Sequence, residues 1–195
     1  VRRPRSQLLT ACLAVAALVF THSLPGATTE RPNAELRSLL IKAINSSDSF
    51  EDRYDAEVWL LDMTSRLKPL VDEPRERLDI LRLAHAEAKR NNLQPELVLA
   101  VIQVESRFDR FAISRAGARG LMQIMPFWLD EIGRPQDNLF HISTNLRIGC
   151  TILRYYLDVE NGDMVRALAR YNGSLGETWY AQRVFTALRD KWYQR

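Results

Sequence analysis

Residues 95–106 read Pro95, Glu96, Leu97, Val98, Leu99, Ala100, Val101, Ile102, Gln103, Val104, Glu105, Ser106. Pro95 and Glu96 suit the first turn of a helix, where proline's missing N–H is no loss. The residues after them are apolar nearly all round, broken by Gln103, and a helix of that kind is buried on most sides. Such a helix needs other helices to enclose it, and the flanking sequence supplies them. Leu36, Leu39, Leu40, Ile41 and Ile44 predict a helix over 34–45. Val58, Trp59, Leu61, Met63 and Leu67 predict one over 50–68, with Ser49 and Asp52 placed to cap it. Leu78, Leu81, Leu83, Ala84 and Ala88 predict one over 76–90, ended by Asn91 and Asn92. Further helices are expected at 144–158, 163–171 and 177–191, opened by Ser143, Asp163 or a nearby polar residue. No period-two alternation persists anywhere, so the fold expected is all-α.

The central helix ends in a carboxylic acid. Partial burial at the end of an apolar helix disfavours the charged form of Glu105 and raises its pKa, which is how a glutamate becomes a proton donor near neutral pH. The acid glutamate of lysozyme, set in an apolar pocket, owes its raised pKa to the same kind of environment. The alternative is a surface glutamate paired with Arg107 or Arg110.

With 195 residues the chain accommodates one domain and an appendage. Its 46% hydrophobic and 26% charged residues exclude a disordered chain. Three histidines, His22, His85 and His141, and two cysteines, Cys12 and Cys150, leave little material for a metal site or a disulfide scaffold. The net charge of +3 rests on Arg2, Arg3 and Arg5, because residues after 27 carry 24 basic and 24 acidic side chains. A nucleic-acid partner is therefore not expected. Those arginines precede an apolar run from Leu8 to Phe20 and a small-residue exit at Ser23 to Ala27, the parts of a cleaved secretory signal. The run is shorter than the ~20 residues of a membrane span, although an uncleaved anchor is the alternative. The organisation expected is a signal peptide over 1–27, a helical extension over 28–75 and a larger helical domain over 76–195. Cys150 is then a lone thiol in the helix at 144–158.

Three further stretches change the weight on Glu105. It is followed by Ser106; residues 114–126 read Ser114, Arg115, Ala116, Gly117, Ala118, Arg119, Gly120, Leu121, Met122, Gln123, Ile124, Met125, Pro126; and residues 167–173 read Ala167, Leu168, Ala169, Arg170, Tyr171, Asn172, Gly173. Gly117 and Gly120 permit a tight loop whose backbone runs close to a ligand, and Gln123 offers it a donor and an acceptor. Taken singly, the glycines fit a plain turn, Met122 and Met125 fit core packing, and Tyr171 fits a buried aromatic with one hydrogen bond.

Taken together, in this order and spacing, the motifs over residues 78–192 resemble the soluble lytic transglycosylase family, goose-type-lysozyme-like enzymes that cleave bacterial peptidoglycan. The resemblance implies a lysozyme-like helical fold with Glu105 as the single catalytic acid/base. It implies that Ser114 hydrogen-bonds near the scissile sugar and that Gln123 and Met125 line the cleft. Tyr171 would face the catalytic carboxyl, with Asn172 beside it. Phe127 and Trp128 stand where the family commonly has Thr-Ala, and Gly173 and Ser174 where it has Ala-Gly; both departures bear on the rim of the cleft. Most glycosidases use two carboxyls, whereas no second one belongs to these motifs. Asp109, Asp130, Glu131 and Asp137 have ordinary surface readings. The chemistry implied is lytic: protonation of the bond after muramic acid, assistance by the sugar's N-acetyl group, and closure of a 1,6-anhydro ring.

A hydrolase of lysozyme type, and a non-catalytic glycan-binding component of an envelope or secretion machine, are the alternatives. The expected partner is the peptidoglycan glycan strand, bound by a periplasmic monomer without metal or cofactor. Trp59 and Trp128 are either core or sugar-stacking aromatics.

Overall fold

A computed structural model of the protein describes residues 53–193, with side chains from Trp59 onward. The leader, the helix expected at 34–45 and the caps Ser49 and Asp52 lie outside the described residues. Within them the structure is helical, and the backbone pairs in β fashion only at two isolated bridges, Ile113 with Arg119 and Arg119 with Ile124. The all-α class expected from the sequence is the one observed. No helix among the described residues is long and apolar enough to cross a membrane.

Helix α1, Arg53–Leu67, places Trp59, Met63 and Leu67 in the core at a strict four-residue spacing. Leu61, expected on the same stripe, is 77% exposed, because two residues along a helix turn it about 200° to the far side. Helix α2, Pro74–Arg90, begins with Pro74 in its first turn and Glu73 as its cap, accepting from the Glu76 N–H. Its buried face carries Ile80, Leu81, Ala84 and Ala88 together with Glu87, while Leu78 turns outward.

Helix α3, Pro95–Ser106, is the segment quoted first, and it buries every residue from Leu97 to Ile102. Helix α4, Phe127–Glu131, is short and buries Trp128 and Leu129. Helix α5, Ile142–Val159, packs against α2 and α6 and buries twelve of its residues. It opens at Ile142 with His141 as the flanking residue and no side-chain cap, so Ser143 does not open it. Helix α6, Met164–Asn172, is capped by Asp163, which accepts from the Arg166 N–H, and it ends at Gly173 with φ 79°. Helix α7, Trp179–Ala187, runs into a π-helical turn at Leu188–Trp192.

The long cross-links explain how this array holds α3. Trp59 Nε1 donates to Glu96 Oε1 at 2.7 Å, tying α1 to the start of α3. Trp192 Nε1 donates to Gln103 Oε1 at 2.7 Å, tying the final turn to its end. Arg66 donates to the carbonyls of Lys191 and Tyr193 at 2.9 and 3.2 Å. Glu87, almost wholly buried, takes Arg147 Nε at 2.9 Å and joins α2 to α5. Trp59, Met63 and Leu67 of α1 are thus packed into the same core as the motif-bearing helices, and Trp59 is a core side chain set 4.9 Å from the His85 ring. Cys150 is buried, and burial together with the charge of Glu87 pushes its thiol well above the usual range, which keeps it protonated and unreactive.

Candidate active site

The end of α3 is shaped by two residues in the left-handed region. Arg107 has φ 54° and Phe108 has φ 69°, a conformation that costs non-glycine residues about 1 kcal/mol or more each. Phe108 is held there because its ring is buried against Trp192, 5.3 Å between centroids. Ser106 completes the turn: its hydroxyl donates to the Ile102 carbonyl and accepts from the Phe108 N–H, both at 3.2 Å. The serine beside the glutamate therefore serves the backbone that aims the glutamate.

Glu105 stands on the wall of a cavity of about 370 Å³. Ser114, Gln123, Met125, Tyr171 and Asn172 line the same cavity, so all six residues singled out in the sequence converge on one place. Trp128 is buried and also reaches the lining, and the exposed Leu175 sits at its edge. Among the described residues no other carboxylate lines it. Burial raises the Glu105 carboxyl from its ordinary 4.5 to about 7, against the opposing influence of a hydrogen bond from Tyr180 and the nearby charge of Arg183. No ion pair forms to Arg107 or Arg110 among the described residues; the guanidinium of Arg110 lies over the Phe111 ring instead.

The hydrogen bond to the carboxyl comes from a residue the motifs did not indicate. Tyr180, on α7 and 1% exposed, donates its hydroxyl to Glu105 Oε1 at 2.5 Å. The Tyr171 hydroxyl, expected to face Glu105, donates to the Met122 carbonyl at 2.8 Å. Its own ionisation is pushed far up by burial first and then by the Glu105 charge, so it is near the acid but stays neutral. Nothing local in the sequence marks Tyr180. It is a buried aromatic 75 residues from its partner, and only the packing of α7 on α3 reveals it.

Removing the Tyr180 hydroxyl should raise the Glu105 pKa further, since the bond favours the carboxylate. A hydrogen bond to a charged group contributes about 1.5–3 kcal/mol, equivalent to about one to two pH units. Tyr180→Phe should therefore move the alkaline limb of the kcat/KM profile to higher pH while lowering its plateau. A limb that stays in place would show that the hydroxyl does not control the proton.

The loop carrying Gln123 is fastened from below by Asn145 on α5. Its Oδ1 accepts from the Met122 N–H at 2.7 Å, and its Nδ2 donates to the carbonyls of Arg119 and Leu139 at 2.8 and 2.9 Å. This uses the full hydrogen-bonding capacity of the buried amide save one lone pair. Gly120, at φ 75°, is required by that close approach: a Cβ there would lie 2.4 Å from Asn145 Nδ2 and 2.5 Å from the Leu139 oxygen. Gly149 performs the same service on α5, where a Cβ would meet Met122 Sδ at 2.4 Å.

Gln123 has φ 50° and donates both amide hydrogens to the loop, to Ala112 O at 3.2 Å and Gly120 O at 2.9 Å. Contrary to the expectation of a donor and an acceptor, only its carbonyl oxygen is left for a ligand. Ser114 Oγ accepts from the Ala118 N–H at 3.0 Å, which leaves its proton to donate.

Residues 82–193 match the model of the transglycosylase SLT domain. A transglycosylase of Enterobacteria phage PRD1 is 36% identical across 50% of this chain and 36% of its own. A protein named membrane-bound lytic murein transglycosylase C, from Pectobacterium atrosepticum, is 30% identical across 57% of this chain and 35% of its own. Its namesake in Actinobacillus pleuropneumoniae is 46% identical over a shorter stretch, 24% of this chain and 13% of its own. The chain thus spans about a third or less of the length of these relatives. The family match covers more than half of the sequence, through the helix that carries Glu105, the loop that carries Gln123 and the helix that carries Tyr171, and the chain belongs to the transglycosylase SLT domain family.

Proposed function

We propose that the protein is a lytic transglycosylase that cleaves the β-1,4 bond between N-acetylmuramic acid and N-acetylglucosamine in peptidoglycan, with Glu105 as its single acid/base. The observation that carries this reading is the Glu105 carboxyl, half-buried at the end of α3 on the cavity wall and raised to about 7 by desolvation, in a family whose relatives are named for murein cleavage. At pH below about 7 the carboxyl is protonated and donates to the glycosidic oxygen. The N-acetyl group of the muramic sugar stabilises the cation that develops, so the cavity needs no second carboxylate. Ionised Glu105 then removes the proton of the sugar's C6 hydroxyl, which attacks C1 and closes the 1,6-anhydro ring. Each proton given to the leaving group is recovered, and no water is consumed.

The other groups are assigned by what they have left to offer. Tyr180 fixes the carboxyl. Ser114, whose oxygen is occupied by a backbone N–H, donates to the substrate, while the Gln123 carbonyl accepts from a sugar hydroxyl or amide N–H. Met125 and Asn172 complete the lining, and Tyr171 holds the Met122 carbonyl that shapes the floor. Residues 28–75 are read as an N-terminal helical extension and residues 76–195 as the catalytic domain. An envelope location follows from the substrate and agrees with the membrane-bound relatives, with residues 1–27 as the export signal.

The test is mass spectrometry of the fragments released from purified peptidoglycan by residues 28–195. Anhydro-muropeptides are the expected product. Reducing-end muramic acid as the main product would assign a hydrolase using the same glutamate, and bound but uncut glycan would assign a binding component.

A further inference from the structure

The cavity that holds Glu105 is also lined by a cation. Arg170, on α6 one residue before Tyr171, is the one basic side chain on its wall among the described residues. That charge is not spent on the acid: besides burial, the influences on the Glu105 carboxyl are those of Tyr180 and Arg183. Arg170 therefore belongs to a different part of the wall. Ile152 and Tyr156 of α5, the helix packed against α6, line the same cavity.

The arginine is held from behind. Glu160, the residue that follows α5, has an almost wholly buried side chain; its Oε1 accepts from Arg170 Nε and its Oε2 from Arg166 Nε. The Arg170 bond first, and then that of Arg166, hold the Glu160 carboxyl below its ordinary pKa, so it stays ionised. The two cations differ in what they face. Arg166 is 54% exposed and stands off the cavity, whereas Arg170 is 22% exposed and lines it. A bond at Nε fixes the plane of a guanidinium, whose terminal nitrogens carry four further N–H groups. An arginine fixed in this way suits a planar oxyanion, because paired N–H groups meet paired oxygens with little further loss of side-chain freedom.

A glycan strand has little that answers this description. Its hydroxyls and N-acetyl groups are neutral. The ionisable group on the sugars themselves is the lactyl carboxyl of the muramic sugar, and it is charged only where no peptide is attached, since attachment turns it into an amide. We propose that Arg170, oriented by Glu160, seats the lactyl carboxylate of a muramic sugar that has lost its stem peptide. Arg170 is then a specificity-determining residue and Glu160 a positioning one. The identity of the ligand rests on the transglycosylase reading. The strands preferred are those already processed by hydrolysis of the amide between the lactyl group and the peptide.

The test uses one glycan preparation in two forms: stripped of its peptides by an amidase, and the same material with its lactyl carboxyls converted to primary amides by ammonia and a carbodiimide. The two differ in charge and hardly in size. The wild type should cleave the carboxylate form with a kcat/KM about 10-fold above that of the amide form, the difference between a charge-assisted and a neutral hydrogen bond. Arg170→Gln should bring that ratio to near one; any loss common to both forms cancels in it. Glu160→Gln should lower the ratio part of the way, because the fork keeps its charge and loses its anchor, and an unchanged ratio there overturns the positioning role. Arg166→Gln, which loosens the same carboxylate from an exposed position, should keep the ratio within about twofold of the wild type. A wild-type ratio near one, a ratio that survives Arg170→Gln, or an equal fall in Arg166→Gln overturns the proposal. Calorimetric titration of Glu105→Gln protein with the two forms reads binding without cleavage. Tighter binding of the carboxylate form, lost on adding Arg170→Gln, supports the seat even where the wild type cuts neither form, a result that sinks the transglycosylase reading alone. Equal binding of both forms overturns the seat.

Discussion

Replacing Glu105 by glutamine should abolish strand cleavage and at the same time make the protein more stable above neutral pH. The first effect follows from loss of the only carboxyl on the cavity wall among the described residues; general acid–base catalysis contributes about 10²–10⁴ in rate, and here one group serves both steps. The second follows from linkage. The folded pKa of about 7 lies above the ordinary 4.5, so the folded state holds its proton more tightly than the unfolded chain. Below 4.5 the protonated acid makes its full contribution to stability. That contribution declines as pH rises toward 7 and is gone above it. The difference amounts to on the order of 3 kcal/mol. Glutamine has the shape of the protonated acid, keeps the acceptor for Tyr180 and never ionises. Chemical denaturation should therefore show the variant gaining about 3 kcal/mol on the wild type at pH 8.5 and less than about 1 kcal/mol at pH 5. Equal stabilities at pH 8.5 would mean that the carboxyl is not desolvated as described.

The second large effect is expected at a residue that touches no substrate. Asn145→Ala should cost about 3–5 kcal/mol, because it strands the Met122 N–H and the Leu139 carbonyl, which are buried and have Asn145 as their partner. The Arg119 carbonyl keeps its bond from the Ile124 N–H at 2.9 Å. Asn145→Asp should fail nearly as badly: it retains an acceptor for Met122 but turns two attractive contacts with carbonyl oxygens into repulsive ones and buries a charge. The measurement is the midpoint of thermal unfolding beside the cleavage rate of whatever fraction remains folded. A midpoint close to that of the wild type would show that the loop does not depend on this amide.

The longer helices are legible because each exceeds two turns and buries one face. The 95–106 helix is found where its pattern places it, and the one expected at 76–90 begins two residues earlier, at Pro74, because proline opens a helix without losing a bond. The helix at Phe127–Glu131 has no signature in the sequence, since five residues after a proline carry no measurable period. The six lining residues are legible through three motifs whose spacing survives the distance between them. Tyr180 and Asn145 are not, and Ser106 is legible only as half of the Glu-Ser pair, not in its service to the turn. A buried tyrosine, an asparagine early in an amphipathic helix and a serine at a helix end each have commonplace roles, and what distinguishes them is a partner elsewhere in the fold. The Gln123 amide shows the same limit in reverse: the residue type is readable, but which of its atoms the loop consumes is not.

The bond between Trp192 and Gln103 spans 89 positions, and that between Tyr180 and Glu105 spans 75. This has a consequence for the order of events during synthesis. When the α3 segment leaves the ribosome it is an apolar stretch too short to hold a helix by itself, with an ordinary solvated acid near its end. Nothing yet shields that carboxyl, orients it or supports the left-handed turn after it. The shield arrives with the stretch translated last among the described residues, and until then the proton-donating property does not exist. Maturation of the acid is therefore a late act in the folding of the described residues, completed only once α7 has been translated, and a nascent copy that stops before α7 carries the motif without the chemistry.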